Sequence, residues 1–107
     1  MGKWIEYAYK VAAKSPHPLH QLGAVVLRGS SVLDSAPNLH RRGRCAERRA
    51  LKTRCDPNRY RGCSLLVVRA NGGCSKPCAQ CMQAIREAGI FTVYFTNKEG
   101  VLEEMRV

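Results

Sequence analysis

The sequence predicts one three-layer α/β/α domain, a mixed sheet of about five strands with one helix on one face and two on the other. Three observations predict it. Apolar residues recur at helical spacing close to the amino terminus. Short apolar runs bounded by Gly, Pro and Asn follow one another as strands do. Two further helical stretches each open on a cysteine. The chain has 107 residues, enough for one hydrophobic core with little surplus.

From Lys3 to Lys14, Trp4, Ala8, Val11 and Ala12 form an apolar stripe on an amphipathic helix. Ser15-Pro16-His17-Pro18 breaks it, because residues before prolines are driven out of the helical region. A loop runs on through His20; His17 and His20 either line a ligand mouth or stand exposed there. Gly23–Leu27 and Ser31–Ser35 read as a hairpin turning at Arg28-Gly29-Ser30, and Ala36-Pro37-Asn38 ends it.

Leu39 to Arg44 leads into a helix expected from about Cys45 to Lys52, and Thr53 to Gly62 is polar, with Asp56-Pro57-Asn58 as a turn. Within Ser64–Arg69, Leu65-Leu66-Val67-Val68 is an unbroken apolar run, which suits a strand covered on both faces. Another helix is expected from Cys78 through Met82 and Ile85, stopping at Gly89. Phe91–Thr96, a turn at Asn97–Gly100 and a last strand within Val101–Val107 complete the sheet. Cys55 and Cys63 read as unliganded thiols.

Cys45-Ala46-Glu47 and Pro77-Cys78-Ala79-Gln80-Cys81 carry the chemistry. If Cys78 opens a helix, Cys81 lies one turn on along the same face, so both sulfurs can reach one metal ion. Pro77 suits a helix start, where its missing N–H would have no partner. Helix N-termini also favour the thiolate that a metal requires. Cys45, opening its own helix, adds a third sulfur, and Glu47 is left free beside a fourth position. Three protein ligands and a water make a catalytic zinc site, whereas four make a structural one. Cys74, four residues before Cys78, offers the fourth sulfur of that alternative, which gives Glu47 no purpose.

A Cys or His two residues before a Glu, followed later by Pro-Cys-x-x-Cys, is the signature of zinc-dependent nucleobase deaminases. On these motifs the chain resembles the cytidine deaminase superfamily. Cys45-Ala46-Glu47-Arg48 is most similar to the free-nucleoside cytidine deaminases. Ser75 to Cys81, with Ala84-Ile85, Gly89-Ile90 and Val93-Tyr94, resembles the second half of many members. The similarity runs from the hairpin near Gly23 to the last strand, and the chain reads as a minimal core of that fold.

The resemblance implies one Zn²⁺ per chain, held by Cys45, Cys78 and Cys81, with Glu47 moving protons while water replaces the amino group at C4 of cytosine. It implies that the Ala46 N–H holds the pyrimidine carbonyl and that Asn38 contacts sugar or base. The alternative for Asn38 is a turn residue satisfying local backbone. Three thiolates leave the metal site net negative, and Arg48 is implied as the cation that donates to the sulfurs. Relatives are often homo-oligomers, and the same is expected here.

Charge bears on the substrate. The chain carries 18 Lys and Arg against 8 Asp and Glu, a formal net charge of +10. Half of its cations fall at Arg41, Arg42, Arg44, Arg48, Arg49, Lys52, Arg54, Arg59 and Arg61, around Glu47. Such an excess favours phosphate-bearing partners. His40, Arg41, Arg42 and Arg44 make a candidate phosphate clamp on the approach to Cys45.

Three readings stay open. They are deamination of cytosine in single-stranded or structured nucleic acid, deamination of a free cytidine nucleoside or nucleotide, and a non-catalytic zinc module that binds nucleic acid. Adenine, attacked at C6, permits the same chemistry. No apolar stretch approaches the ~18 residues of a membrane helix and no apolar leader opens the chain. The expectation is a soluble cytoplasmic protein with reduced thiols and no membrane partner.

Overall fold

The structure, a computed structural model, describes residues 2–16, 21–29, 31–38, 60–70, 74–77 and 79–106. These form helix α1 (Gly2–Ala13), strands β1 (Leu22–Arg28), β2 (Ser31–Pro37) and β3 (Ser64–Arg69), helix α2 (Ala79–Glu87), and strands β4 (Thr92–Thr96) and β5 (Leu102–Arg106). The five strands make one mixed sheet in the order β2-β1-β3-β4-β5. Only β3 and β4 pair in parallel; the other three pairings are antiparallel.

Alternation along the strands sorts the core into two layers. Val25, Leu27, Leu66 and Val68 face Ala8, Val11 and Ala12 of α1. Ala24, Val26, Leu65, Val67 and Val93 face the opposite way, where Ile85 and Ala88 pack. The continuous run Leu65–Val68 is thus covered on both faces, as expected of a central strand. The expected helix at Cys45–Lys52 lies outside the described residues.

Helix α1 sits unusually close to the sheet. A Cβ built on Gly23 would lie 2.6 Å from the Ala12 nitrogen and 2.7 Å from the Ala8 carbonyl oxygen. Both are backbone atoms with little freedom to yield. Ala8 and Ala12 are fully buried there, so the helix and β1 meet backbone to backbone. Helix α2 ends in a Schellman motif. Gly89, at φ 85, donates its N–H to the Arg86 carbonyl at 3.1 Å, and the Ile90 N–H reaches the Ile85 carbonyl at 3.3 Å. The buried Ile85 and Ile90 side chains supply the apolar contact that accompanies such caps.

Several boundaries differ from those expected. Strand β1 runs on through Arg28, so that Arg28 pairs Ser31 across a turn containing Gly29 at φ 60. Strand β2 continues two residues further, to Pro37, because Ala36 and Pro37 still pair with Ala24 and Gly23. A register shift falls between Val26 and Leu27, leaving Leu33 as the extra residue of a bulge. Phe91 stays outside β4 and is 62% exposed.

The stretch read as polar up to Gly62 hides a core residue. Tyr60 is fully buried, and its hydroxyl donates to Asp34 Oδ2 of β2 at 2.5 Å. The Asn97-to-Gly100 turn is as expected, with the Asn97 Oδ1 accepting the N–H groups of Glu99 and Val101. Among the described residues no helix is long and apolar enough to cross a membrane.

Gly23→Ala should lower the unfolding free energy by about 1–3 kcal/mol, since the added methyl meets fixed backbone rather than a movable side chain. Urea denaturation of the two proteins checks this, and equal midpoints would refute the close approach.

Candidate active site at the carboxyl ends of the strands

Strand directions gather the candidate residues at one end of the sheet. Gly23 pairs with both Pro37 and Val68, and Val67 pairs with Phe95. The carboxyl ends of β2, β3 and β4 therefore lie together, beside the start of β1. In open α/β sheets this end is where ligands bind. Asn38 follows β2 there, and the crossover from β3 into α2 starts there.

The segment Cys74–Pro77 crosses the ends of β3 and β4 with alternating burial, Ser75 and Pro77 inward and Cys74 and Lys76 outward. Ser75 makes the crossing fast. Its hydroxyl donates to the Val67 carbonyl at 2.7 Å and accepts the Thr96 N–H at 2.7 Å. Its own N–H donates to the Thr96 carbonyl at 2.8 Å.

Helix α2 begins four residues on and sets Cys81 on its inner side. Cys81, Ile85 and Ala88 are all buried, a spacing of four and then three that defines the sheet-facing stripe, while Gln83, Arg86 and Glu87 are exposed. Cys81 is fully buried and Cys74 is exposed. Cys63, also buried, lies just before β3 and packs in the core with Tyr60 and Leu65.

Asn38 is buried at the junction of α1, β1 and β2. Its N–H donates to the Leu22 carbonyl at 3.0 Å, and its Oδ1 accepts the Leu22 N–H at 2.9 Å. The Ser15 hydroxyl donates to its carbonyl at 2.9 Å, tying in the end of α1. Asn38 thus satisfies local backbone, and its amide oxygen is committed to Leu22.

Of the residues singled out in the sequence, Asn38 and Cys81 are described, and the topology brings both to this end of the sheet. Cys45, Ala46, Glu47, Arg48, His40, Arg41, Arg42, Arg44 and Cys78 lie outside the described residues, as do His17, His20 and Cys55. Ser75 carried no assigned role, because one hydroxyl in a polar loop has no periodicity to betray its burial.

A family model for the cytidine and deoxycytidylate deaminase zinc-binding region matches residues 2–97. A cytidine deaminase from Burkholderia pseudomallei has a similar fold, with a TM-score of 0.75 at 24% identity over 98% of this chain and 91% of its own. A diaminohydroxyphosphoribosylaminopyrimidine deaminase/5-amino-6-(5-phosphoribosylamino)uracil reductase from Thermotoga maritima superposes with a TM-score of 0.66 at 25% identity. That similarity covers 85% of this chain but 27% of the Thermotoga protein. Among curated protein sequences none matches.

Asn38→Ala should destabilise the protein by about 1 kcal/mol, the net value of a hydrogen bond lost at the Leu22 N–H. Asn38→Asp, which keeps an acceptor at that position, should recover most of it. Chemical denaturation of the three proteins decides, and an Asp variant no better than the Ala variant would count against the Leu22 contact.

Proposed function

The chain belongs to the cytidine and deoxycytidylate deaminase family, and from that premise we propose that it replaces the amino group of a cytosine ring by water, with zinc as cofactor. The observation that carries this reading is the fully buried thiol of Cys81 on the inner face of α2, at the end of the sheet where ligands bind.

The donor chemistry fits zinc. Cys81 lies three residues after Cys78, a sequence spacing that suits two sulfurs sharing one ion, and Cys45 is proposed to complete a set of soft ligands suited to that ion. The outward position of Cys74 favours a set of three over a closed set of four. When bound, the metal would supply a water acidified to near neutrality.

Glu47 is the proposed proton carrier. Its carboxylate takes a proton from the water and delivers it to N3 of the ring, then assists the departing ammonia; cytosine and water become uracil and ammonia. The Ala46 N–H is proposed to hold the pyrimidine carbonyl. Arg48 is proposed to offset the negative charge of three thiolates by donating to them. Asn38, at the same end of the sheet, is proposed to contact the sugar or base of the substrate.

The proposed substrate is cytosine in single-stranded or structured nucleic acid. The net charge of +10 supports it, as does the crowding of cations around Glu47, with His40, Arg41, Arg42 and Arg44 as the clamp. Cys45-Ala46-Glu47-Arg48 favours a second reading, a free cytidine nucleoside or nucleotide, with the arginines gripping a monophosphate in the latter case. Action in the cytoplasm and assembly into a homo-oligomer accompany either reading.

Glu47→Gln should lower turnover by at least about a hundredfold while zinc stays bound, since general acid–base catalysis is worth that much or more. Retained activity would refute the assigned role. Mass spectrometry of products, with cytidine, deoxycytidine, their monophosphates, adenosine, and single-stranded DNA and RNA offered side by side, identifies the substrate. A polymer substrate held by six to ten phosphate contacts should bind about a thousandfold or more weaker between roughly 50 and 200 mM salt. Near-constant affinity over that range would leave the small-substrate reading.

A further inference from the structure

Ser75 sits where the parallel ladder gives out. The last registered pair of β3 and β4 is Val67 with Phe95. Immediately beyond it, the Val67 carbonyl and the Thr96 N–H both bond to the Ser75 hydroxyl, at 2.7 Å each. Thr96 Oγ1 lies 2.9 Å from the same oxygen, and the Thr96 carbonyl is further, at 3.4 Å.

A hydroxyl has one proton to give and two lone pairs to accept with. Here the proton goes to Val67, a lone pair takes the Thr96 N–H, and the Thr96 hydroxyl stands within hydrogen-bond distance. The Ser75 side chain, 1% exposed, has no room to turn. The Ser75 N–H bond to the Thr96 carbonyl fixes the backbone as well.

We propose, on the zinc-deaminase reading above, that Ser75 is the positioning residue of the metal-binding turn. Two further anchors flank the turn. Pro77 is buried, and its ring fixes its φ. Cys81 is held from its other side by the sheet-facing stripe it shares with Ile85 and Ala88. Locking Ser75 to both strands therefore sets where α2 starts and how far the Cys81 thiol stands from the sheet. Thiolates gathered for one ion repel each other, so a rigid approach raises affinity by ordering them before the metal arrives.

The test compares zinc affinity, by competition with a chromophoric chelator, and the visible spectrum of the cobalt(II) form. Four full-length proteins are needed: native, Ser75→Ala, Thr96→Val and Val25→Ala. Thr96→Val removes one partner of the Ser75 hydroxyl and is the milder change should Ser75→Ala fold poorly. Val25→Ala opens a cavity on the α1 face, away from α2, and controls for loss of stability alone.

Ser75→Ala should bind zinc about tenfold weaker or worse, the lower end of what loss of a supporting contact around a metal site costs. Thr96→Val should fall severalfold, both with altered cobalt bands, while Val25→Ala keeps native affinity and spectrum. Native affinity in both Ser75→Ala and Thr96→Val, or an equal loss in Val25→Ala, would overturn the inference and leave the deaminase reading intact. A native protein that binds no zinc would overturn both.

Discussion

Two adjacent parallel strands cannot be joined by a tight turn, and that constraint organises this protein. The chain leaving β3 must return to the opposite end of the sheet before β4 can begin, a crossover of a dozen or more residues. Here the crossover holds both the Cys74–Pro77 segment and α2. Its first half has to lie over the carboxyl ends of the strands and its second half along the face. The inner side of α2 is thereby brought to the end of the sheet where Asn38 also emerges.

Packing on the other face supports that arrangement. The small side chains of Ala8, Ala12 and Gly23 let α1 lie directly on β1. Ser15, just beyond α1, then bonds to Asn38 at the end of β2, while the Gln21 carbonyl accepts the Ala70 N–H at the end of β3. One set of hydrogen bonds thus ties the ends of α1, β2 and β3 to the start of β1. Among the described residues no buried side-chain polar atom lacks a partner, as a site built on rigid elements requires.

Much of this was legible in the sequence. The stripe of Trp4, Ala8, Val11 and Ala12 announces α1, Leu65–Val68 announces a doubly covered strand, and Gly89 announces the end of α2, because each signal is local. The motifs Cys45-Ala46-Glu47 and Pro77-Cys78-Ala79-Gln80-Cys81 indicate the superfamily, because metal chemistry ties residue type to spacing. What stayed hidden depends on distant partners. Tyr60 is buried because Asp34 meets its hydroxyl across the fold. Ser75 bonds to the backbone of Val67 and Thr96, which lie on two different strands. The bulge at Leu33 and the extension of β2 to Pro37 follow from pairing with β1, which no window on β2 alone reveals.

In the proposed site one zinc ion is shared by three cysteines and keeps a position open for water beside a carboxylate. X-ray absorption at the zinc edge of the purified protein tests it most directly, because it counts sulfur neighbours without depending on any substrate. Three sulfur scatterers and one lighter atom are expected around each zinc. Four sulfurs would contradict it, making the metal a structural clasp and Glu47 a bystander.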